Sequence, residues 1–345
     1  MINRVQLSLL ISGVLGSFFS CEGHNKEPQT GTETLLGTAC VIILNDWERG
    51  TDTAELLEES FDLISDFEQI LSVNIPDSDV SRINRAGEEG FRPDDLVLNV
   101  LESALKIADF SAGLFDPSIG ALVNLWGIGT DHSAVPEDNE LNQALRTVDY
   151  RKIKIDQDGV VSLMQDGMRI DLGGIAKGYA ADRVREYLLT KGVTSAIINL
   201  GGNVLLCGSK PSGDPWRIGI QDPREPRGEY LGILKTDDRA IVTSGIYERY
   251  FVEDGIHYHH ILDKKNGYPV QNGVISTTII HKESMIADGL STALFAMGVE
   301  RGMAMAETLA DTSVIMVDEN NVVYITENLR NTFSLTSDSA YSLYP

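Results

Sequence analysis

The chain has 345 residues, 42% of them hydrophobic, enough to bury a sizeable core as one large domain or two closely joined halves. Its 28 basic and 51 acidic residues leave a formal charge of −23, which argues against nucleic acid and anionic membrane surfaces as partners. The same charge would repel a dinucleotide unless local cations, a helix N-terminus or Mg²⁺ reversed the field.

At the N-terminus, Arg4 precedes an apolar run from Val5 to Phe19 and then Ser20-Cys21. A basic start and a short apolar stretch are the marks of a secretory signal, and the run is too short for a membrane span. The small residue before Cys21 resembles a lipobox, so residues 1–21 read as a lipoprotein signal peptide, with a plain signal as the alternative. EGHNKEPQTGTE, residues 22–33, reads as a flexible tether, and 34–345 as one folded unit. In a cell with two membranes this address gives a lipoprotein anchored in the inner membrane and facing the periplasm.

TACVIIL at 38–44 predicts a strand, and Leu57, Phe61, Ile64, Phe67 and Leu71 recur at the three-to-four spacing of an amphipathic helix. Pro93 is placed to start the next helix, which turns Leu98, Leu101, Leu105 and Ala108 towards the core. TDHSAVPEDNE at 130–140 is a surface loop or an insertion before a capped helix. DLGGIAKGYAAD at 171–182 sets an Asp, two adjacent glycines and Lys177 at an expected strand-to-helix junction, where free N–H groups and a positive helix end favour a phosphate. Glycine pairs also serve tight packing, and a Lys early in a helix is ordinarily solvated.

In the second half SAIINL, WRIGIQ, AIVTS, RYFVEDGIHYHHIL and VISTTIIH are β-branched runs that predict strands, with EDG as a hairpin turn. Thr243-Ser244-Gly245 at a strand end suits a nest of hydroxyl and N–H groups for phosphate or adenosine. His257 and His259 share one face of an extended strand and read as exposed, while His260 points the other way. A helix pair, 284–297 and 299–310, and the hairpin VIMVDENNVVYI follow. Within the helix IADGLSTALFAMG, Asp288 and Thr292 fall one turn apart on one face, two hard oxygen ligands suited to Mg²⁺. The plain alternative is a carboxylate favoured near a helix start. The mixture predicts an α+β fold with mostly antiparallel sheets and packed helices. Cys40 and Cys207, inside apolar strands, read as buried free thiols without zinc-site spacing.

LLGT (35–38), DSDVSRIN (77–84), GLFDPSIGALVNLWGIG (113–129), DLGGIAKGYAAD, INLGGNVLLCG (198–208), IVTSGIYERYF (241–251), HHILDKKNGYP (259–269) and ADGLSTALFAMG resemble, in order, the successive motifs of the ApbE family, the FAD:protein FMN transferases or flavin transferases. The resemblance spans nearly all the chain from about residue 33 to 335. It implies a T-fold-like architecture with the flavin site between the lobes. It also implies a Mg²⁺-dependent reaction that takes FMN from FAD, esterifies a Ser or Thr hydroxyl of an exported protein through a phosphoester bond, and releases AMP. Acceptors would carry a D-G-x-(S/T)-G-A-(S/T) segment, and subunits of Rnf- and Nqr-type membrane redox complexes are the implied partners.

By the same resemblance Gly174 offers a backbone oxygen to the metal beside Asp288 and Thr292. Lys177 lies near a phosphate, and Asp171 near the adenosine or the metal shell. Leu36, Leu114, Phe115, Asp116, Thr243, Ser244 and Leu262 are placed on the FAD, although Phe115 is by default a core residue and Trp126 either lines a pocket or fills the interior. His260 aligns with the His preceding the family's I-x-D-x-x-x-G-x-P segment, here Ile261, Asp263, Gly267 and Pro269, where an imidazole acts as general base or orients the phosphate. Asn74 stands where many relatives carry an aromatic ring against the flavin, which favours some release of FMN to water. The alternatives are an FAD diphosphatase giving FMN and AMP, and a flavin-binding lipoprotein without chemistry. Self-modification at DGLST is disfavoured, because Thr292 replaces the glycine that the acceptor segment requires.

Overall fold

The protein is described by a computed structural model over residues 26–337 and 339–345. The signal peptide and lipobox reading at residues 1–21 and the tether at 22–25 lie outside the described residues. The rest of the expected tether is ordered differently: β1 (Gln29–Leu35) pairs along its whole length with β2 (Thr38–Trp47). Its side chains face mostly outward, so the strand is held by backbone bonds that a polar composition does not announce. Leu36 and Gly37 make the two-residue turn between them with φ of 53° and 67°, the left-handed pair that matches hairpin twist.

Helix α1 (Thr53–Leu71) is capped by the Asp52 carboxylate, which accepts from the N–H groups of Ala54 and Glu55, and it buries Leu56, Phe61, Ile64, Phe67 and Leu71. Ser78 caps α2 (Asp79–Ala86) in the same way. The following helix, α3 (Asp95–Phe110), begins two residues after Pro93, because Asp94 takes the cap and accepts from Leu96 N–H. Then come α4 (Gly120–Trp126), α5 (Asp138–Arg146), a small hairpin of β3 (Ile153–Ile155) and β4 (Val161–Leu163), and α6 (Ala176–Thr190). No strand leads into α6: Asp171 sits in irregular chain and Gly173-Gly174 in a turn, so the expected strand-to-helix junction is a turn-to-helix junction.

The second half supplies β5 (Val193–Leu200), β6 (Asn203–Cys207), β7 (Trp216–Gln221), β8 (Tyr230–Thr236), β9 (Ala240–Gly245), β10 (Tyr250–Glu253), β11 (Ile256–His259) and β12 (Val274–His281). It ends with α7 (Ser284–Met297), α8 (Val299–Ala306), β13 (Ser313–Asp318), β14 (Val322–Ile325), β15 (Phe333–Leu335) and β16 (Ser342–Leu343). Gly298, with φ 80°, separates α7 from α8, and α8 stops at Ala306, short of the expected 310.

Nine strands form one sheet in the order β1-β2-β5-β6-β9-β12-β13-β14-β16, antiparallel except for β14 with β16. Period-two alternation gives each face its own core. Ala240 and Val242 of β9 join Ile42, Leu44, Ile198 and Leu205 beneath the helices, packed on Phe67, Ala180, Val184, Leu290 and Leu294. Ile241 turns the other way and joins Leu206, Ile280 and Ile315 against Leu234 and Phe333 of the small β15-β8-β7 sheet. The fold is therefore α+β with mostly antiparallel sheets, as expected. Cys40 and Cys207 are buried free thiols on β2 and β6, which lie on opposite sides of β5 at partners Leu200 and Ala196, too far apart to bridge.

Register also builds the site. Cys40 pairs with Leu200, Leu200 with Asn203 across the Gly201-Gly202 turn, and Asn203 with Val242, so the turns at 36–37 and 201–202 and the end of β9 meet at one end of the sheet. Gly201 is held to glycine both by its φ of 64° and because a Cβ there would lie 2.3 Å from Thr38 Oγ1.

Candidate functional site

Helices α6 and α7 cross at that end of the sheet, and Gly178 is the crossing point. A Cβ on it would stand 2.3 Å from the carbonyl oxygen of Ser284. This closeness lets Gly178 N–H donate to Asp288 Oδ2 at 2.9 Å. Asp182, one turn further along α6, accepts from the N–H groups of Ser284 and Met285, both at 2.9 Å, and so caps α7 from a neighbouring helix.

On α7, Asp288 is 5% exposed and burial pushes its carboxyl pKa up from 3.8, opposed by the charges of Lys177 and Arg249 and by Gly178 N–H. The Asn203 amide also lies beside it: its Oδ1 accepts from Ser284 Oγ at 2.7 Å, while its buried Nδ2 reaches no hydrogen-bond partner. Thr292 lies one turn on, its Oγ1 3.3 Å from Ser244 Oγ, which is also 2.7 Å from Ser291 Oγ. Gly174 faces the same spot, since a Cβ on it would fall 4.0 Å from Thr292 Oγ1 and 3.1 Å from the Phe115 ring. The fold thus brings Asp288, Thr292, Gly174 and Ser244 together.

This donor set fits Mg²⁺. The ion takes oxygen ligands, one or two of them carboxylates, and leaves other positions to water or substrate phosphate. Among the described residues no three His, Cys, Asp or Glu side chains cluster as a metal cage; Asp288 accepts from Gly178 N–H through Oδ2 and has the Asn203 side chain beside it. The buried Asn203 Nδ2, left without a hydrogen-bond partner beside the Asp288 carboxylate, leaves the polar shell unfinished.

Around it stand two cations. Lys177 lies in the first turn of α6 and, among the described residues, makes no ion pair or hydrogen bond. Arg249 follows β9, and both cations act on Asp171, Asp288 and Glu248. Asp171 accepts from Gly173 N–H at 2.7 Å, and burial raises its pKa above the ordinary carboxylate value. Burial does the same for Glu248, against the pull of Arg227, which it meets at 2.6 Å. Arg249, Glu248, Asn203 and Asp182 were not singled out from the sequence. The YER segment and the closing Asp of GYAAD were the available signals.

His260 closes the site. Its Nδ1 is 3.2 Å from the Arg249 carbonyl, which can only accept, so Nδ1 carries the hydrogen and Nε2 keeps a lone pair. Burial and the charges of Arg249 and Lys177 push its imidazole down to about 3, so the free ring is neutral at physiological pH.

Several expected residues sit elsewhere or are engaged otherwise. His259 is not exposed: its Nε2 meets Val270 O at 3.0 Å, Ile261 N–H donates to Nδ1, and burial pushes it down to about 4. His257 is exposed as expected. Asp116 is buried, with Ser118 N–H and Oγ–H, Tyr150 N–H and the Lys264 ammonium around its two oxygens, so it fixes its own loop. Leu262 is buried with Leu122, Leu141 and Trp126, and Trp126 fills the interior, donating to Gly267 O at 2.7 Å. Phe115 is core as well as a wall to Gly174, and Leu114 packs partly buried beside it. Thr243 shares a 2.8 Å hydrogen bond with Thr278. Leu36 is half-buried in its turn, and Asn74 is exposed in the loop after α1.

The sequence profile described as the ApbE family matches residues 36–316. The FAD:protein FMN transferase of Treponema pallidum is 35% identical over 316 residues, 86% of this chain and 87% of that protein. That of Klebsiella pneumoniae is 37% identical over 290 residues, 84% and 90% of the two chains. Among solved structures, the ApbE protein of Thermotoga maritima superposes with a TM-score of 0.83 at 31% identity, covering 89% of this chain and 99% of that one. The flavin transferase ApbE from Vibrio cholerae superposes with a TM-score of 0.79 at 32% identity, covering 88% and 99%. Matched along most of its length in both sequence and fold, this chain belongs to the ApbE family.

Proposed function

We propose that this protein is an FAD:protein FMN transferase that moves FMN from FAD to a Ser or Thr hydroxyl of an exported acceptor and releases AMP. The observation that carries the reading is the convergence of Asp288, Thr292 and Gly174 with Lys177, Arg249 and the base-competent His260 at one end of the sheet. The names of the T. pallidum and K. pneumoniae relatives support it.

In this reading Asp288, Thr292 and the Gly174 carbonyl hold Mg²⁺, which supplies charge neutralisation on the FAD diphosphate. Lys177 and Arg249 face the remaining phosphate charge and overcome the repulsion that the acidic chain imposes. A bound diphosphate beside His260 also favours the protonated ring, raising its low pKa towards the working range. The acceptor oxygen attacks the FMN phosphorus, its proton passes to His260 Nε2, and the bond to the AMP phosphate breaks. One P–O bond forms as one is lost, and AMP leaves with the negative charge.

The direct test is incubation with FAD, Mg²⁺ and a peptide carrying D-G-x-(S/T)-G-A-(S/T), read by intact mass and by chromatography of AMP. An FMN-phosphate adduct matched by AMP is expected. AMP and free FMN without adduct would instead select the diphosphatase reading, which the exposed amide of Asn74 favours as a side reaction. Neither product would leave only flavin binding.

Lys177 offers a graded check. Lys177→Met keeps much of the stem and removes the cation, so FAD affinity or turnover should fall at least about tenfold, about 1.4 kcal/mol. An FAD titration and rate equal to the parent's would return Lys177 to ordinary solvated surface.

A further inference from the structure

One buried donor beside the metal ligands has no use in the fold itself. Asn203 opens β6 after the Gly201-Gly202 turn and is 2% exposed. Its backbone is held from both sides, by Leu200 on β5 and Val242 on β9, and Gly202 N–H donates to Asn199 Oδ1 at 2.9 Å to fix the turn before it. The side chain is anchored through one atom. Oδ1 accepts from Ser284 Oγ at 2.7 Å, while Nδ2, equally buried, reaches no hydrogen-bond acceptor among the described residues. An amide N–H shut away from water without an acceptor costs folding free energy, and folded chains keep few such groups unless something else uses them.

The neighbouring helix supplies the use. Ser284 and Asp288 stand four residues apart on α7, so their side chains lie one above the other on the same face. With Oδ1 on Ser284, the Asn203 amide spans that turn and has Nδ2 beside the Asp288 carboxylate. Gly178 N–H holds the same carboxylate through Oδ2, at 2.9 Å. One hydrogen bond leaves a carboxylate free to turn about the axis of that bond, whereas a second donor, carried by a strand instead of a helix, fixes its plane. Donors placed behind a metal ligand in this way set the ligand's direction and, through it, the affinity for the metal.

We infer that Asn203 is a positioning residue of the metal site, its Nδ2–H donating to the Asp288 carboxylate and holding it in the direction that receives Mg²⁺. The inference rests on the metal-assisted reading above and deepens it. Mn²⁺ shares the oxygen preference of Mg²⁺ and can be counted by electron paramagnetic resonance as it is titrated into the purified protein. Asn203→Ala should weaken Mn²⁺ binding at least about tenfold, and Asn203→Ser, whose side chain is too short to span from Ser284 to Asp288, should do the same. Ser284→Ala removes the hydrogen bond to Oδ1 but leaves Nδ2 in place, so it should lower the thermal midpoint and keep Mn²⁺ affinity close to the parent's. In turnover of FAD, both Asn203 variants should raise the KM for Mg²⁺ more than they lower kcat. Parental Mn²⁺ affinity in the Asn203 variants overturns the inference. So does an equal loss in Ser284→Ala, which would trace the effect to the packing of α7, and so does a parent that binds no Mn²⁺. If Mn²⁺ binding depends on Asn203 but no FMN reaches an acceptor, the positioning role stands and the transferase reading falls.

Discussion

Asp288→Asn should lower AMP release by roughly three orders of magnitude, about 4 kcal/mol in the barrier, while the fold stays intact. Two opposing effects decide the stability side. An amide oxygen at this position still accepts from Gly178 N–H, which the carboxylate now meets at 2.9 Å, so the contact between α6 and α7 keeps its hydrogen bond. Burial raises the carboxyl above its ordinary 3.8, so ionising it costs folding free energy as the pH rises past that value. Asparagine removes this cost, and the thermal midpoint at neutral pH should be equal or higher. Asp288→Ala should lose turnover equally but also leave the buried Gly178 N–H unpaired, a penalty of about 1–3 kcal/mol. EDTA should reproduce the loss of turnover in the parent. Near-parental AMP release from Asp288→Asn in the presence of Mg²⁺ would sink the assignment of Asp288 as the charged metal ligand.

The parts of the site that were legible in the sequence are those fixed by local geometry. Asp288 and Thr292 could be placed on one face because helical spacing is local, and α7 runs from Ser284 to Met297 as the apolar pattern indicated. The hairpin turn at EDG was legible because a left-handed pair at 254–255 needs residues of that kind. Arg249 and Glu248 carried no such mark, since they lie in irregular chain after β9 and reach Lys177 and Asp288 only through the tertiary fold. Asp182 and Asn203 are the same case, as their partners at Ser284 are 102 and 81 residues away in sequence.

Where local rules were misleading, a tertiary contact explains it. Alternation assigned His259 to the surface with His257, but the strand ends at His259 and its ring is pulled inward by Val270 O and Ile261 N–H. Residues 29–33 read as tether because they are polar and bury little. Their pairing with β2 is a backbone matter, and the signal that could have found it was the alternation of Thr30, Thr32 and Thr34. Asp116 was placed on the FAD by the family resemblance, and two of the bonds that hold it, from Ser118 N–H and Oγ–H, are local. Its partners Tyr150 and Lys264 lie 34 and 148 residues away.

Gly178→Ala should be destabilising even though alanine is the better helix former. Propensity alone favours the change by about 1 kcal/mol. Against it, the new Cβ would lie 2.3 Å from Ser284 O and 2.6 Å from Met285 Cα, and these are backbone atoms that no side-chain rotation can move aside. Overpacking of this kind costs about 3 kcal/mol, so the net loss should be about 2 kcal/mol, a fall of several degrees in thermal midpoint. Function should suffer further, because the backbone that must retreat also carries the N–H that holds Asp288, while Asp182 ties Ser284 and Met285 to the same helix. AMP release should drop more than tenfold beyond what the unfolded fraction accounts for. Differential scanning calorimetry and an AMP assay on the purified variant separate the two effects. A Gly178→Ala protein with the parent's midpoint and the parent's rate would mean that α6 and α7 can slide apart without disturbing Asp288, and that the crossing does not set the geometry of the metal ligands.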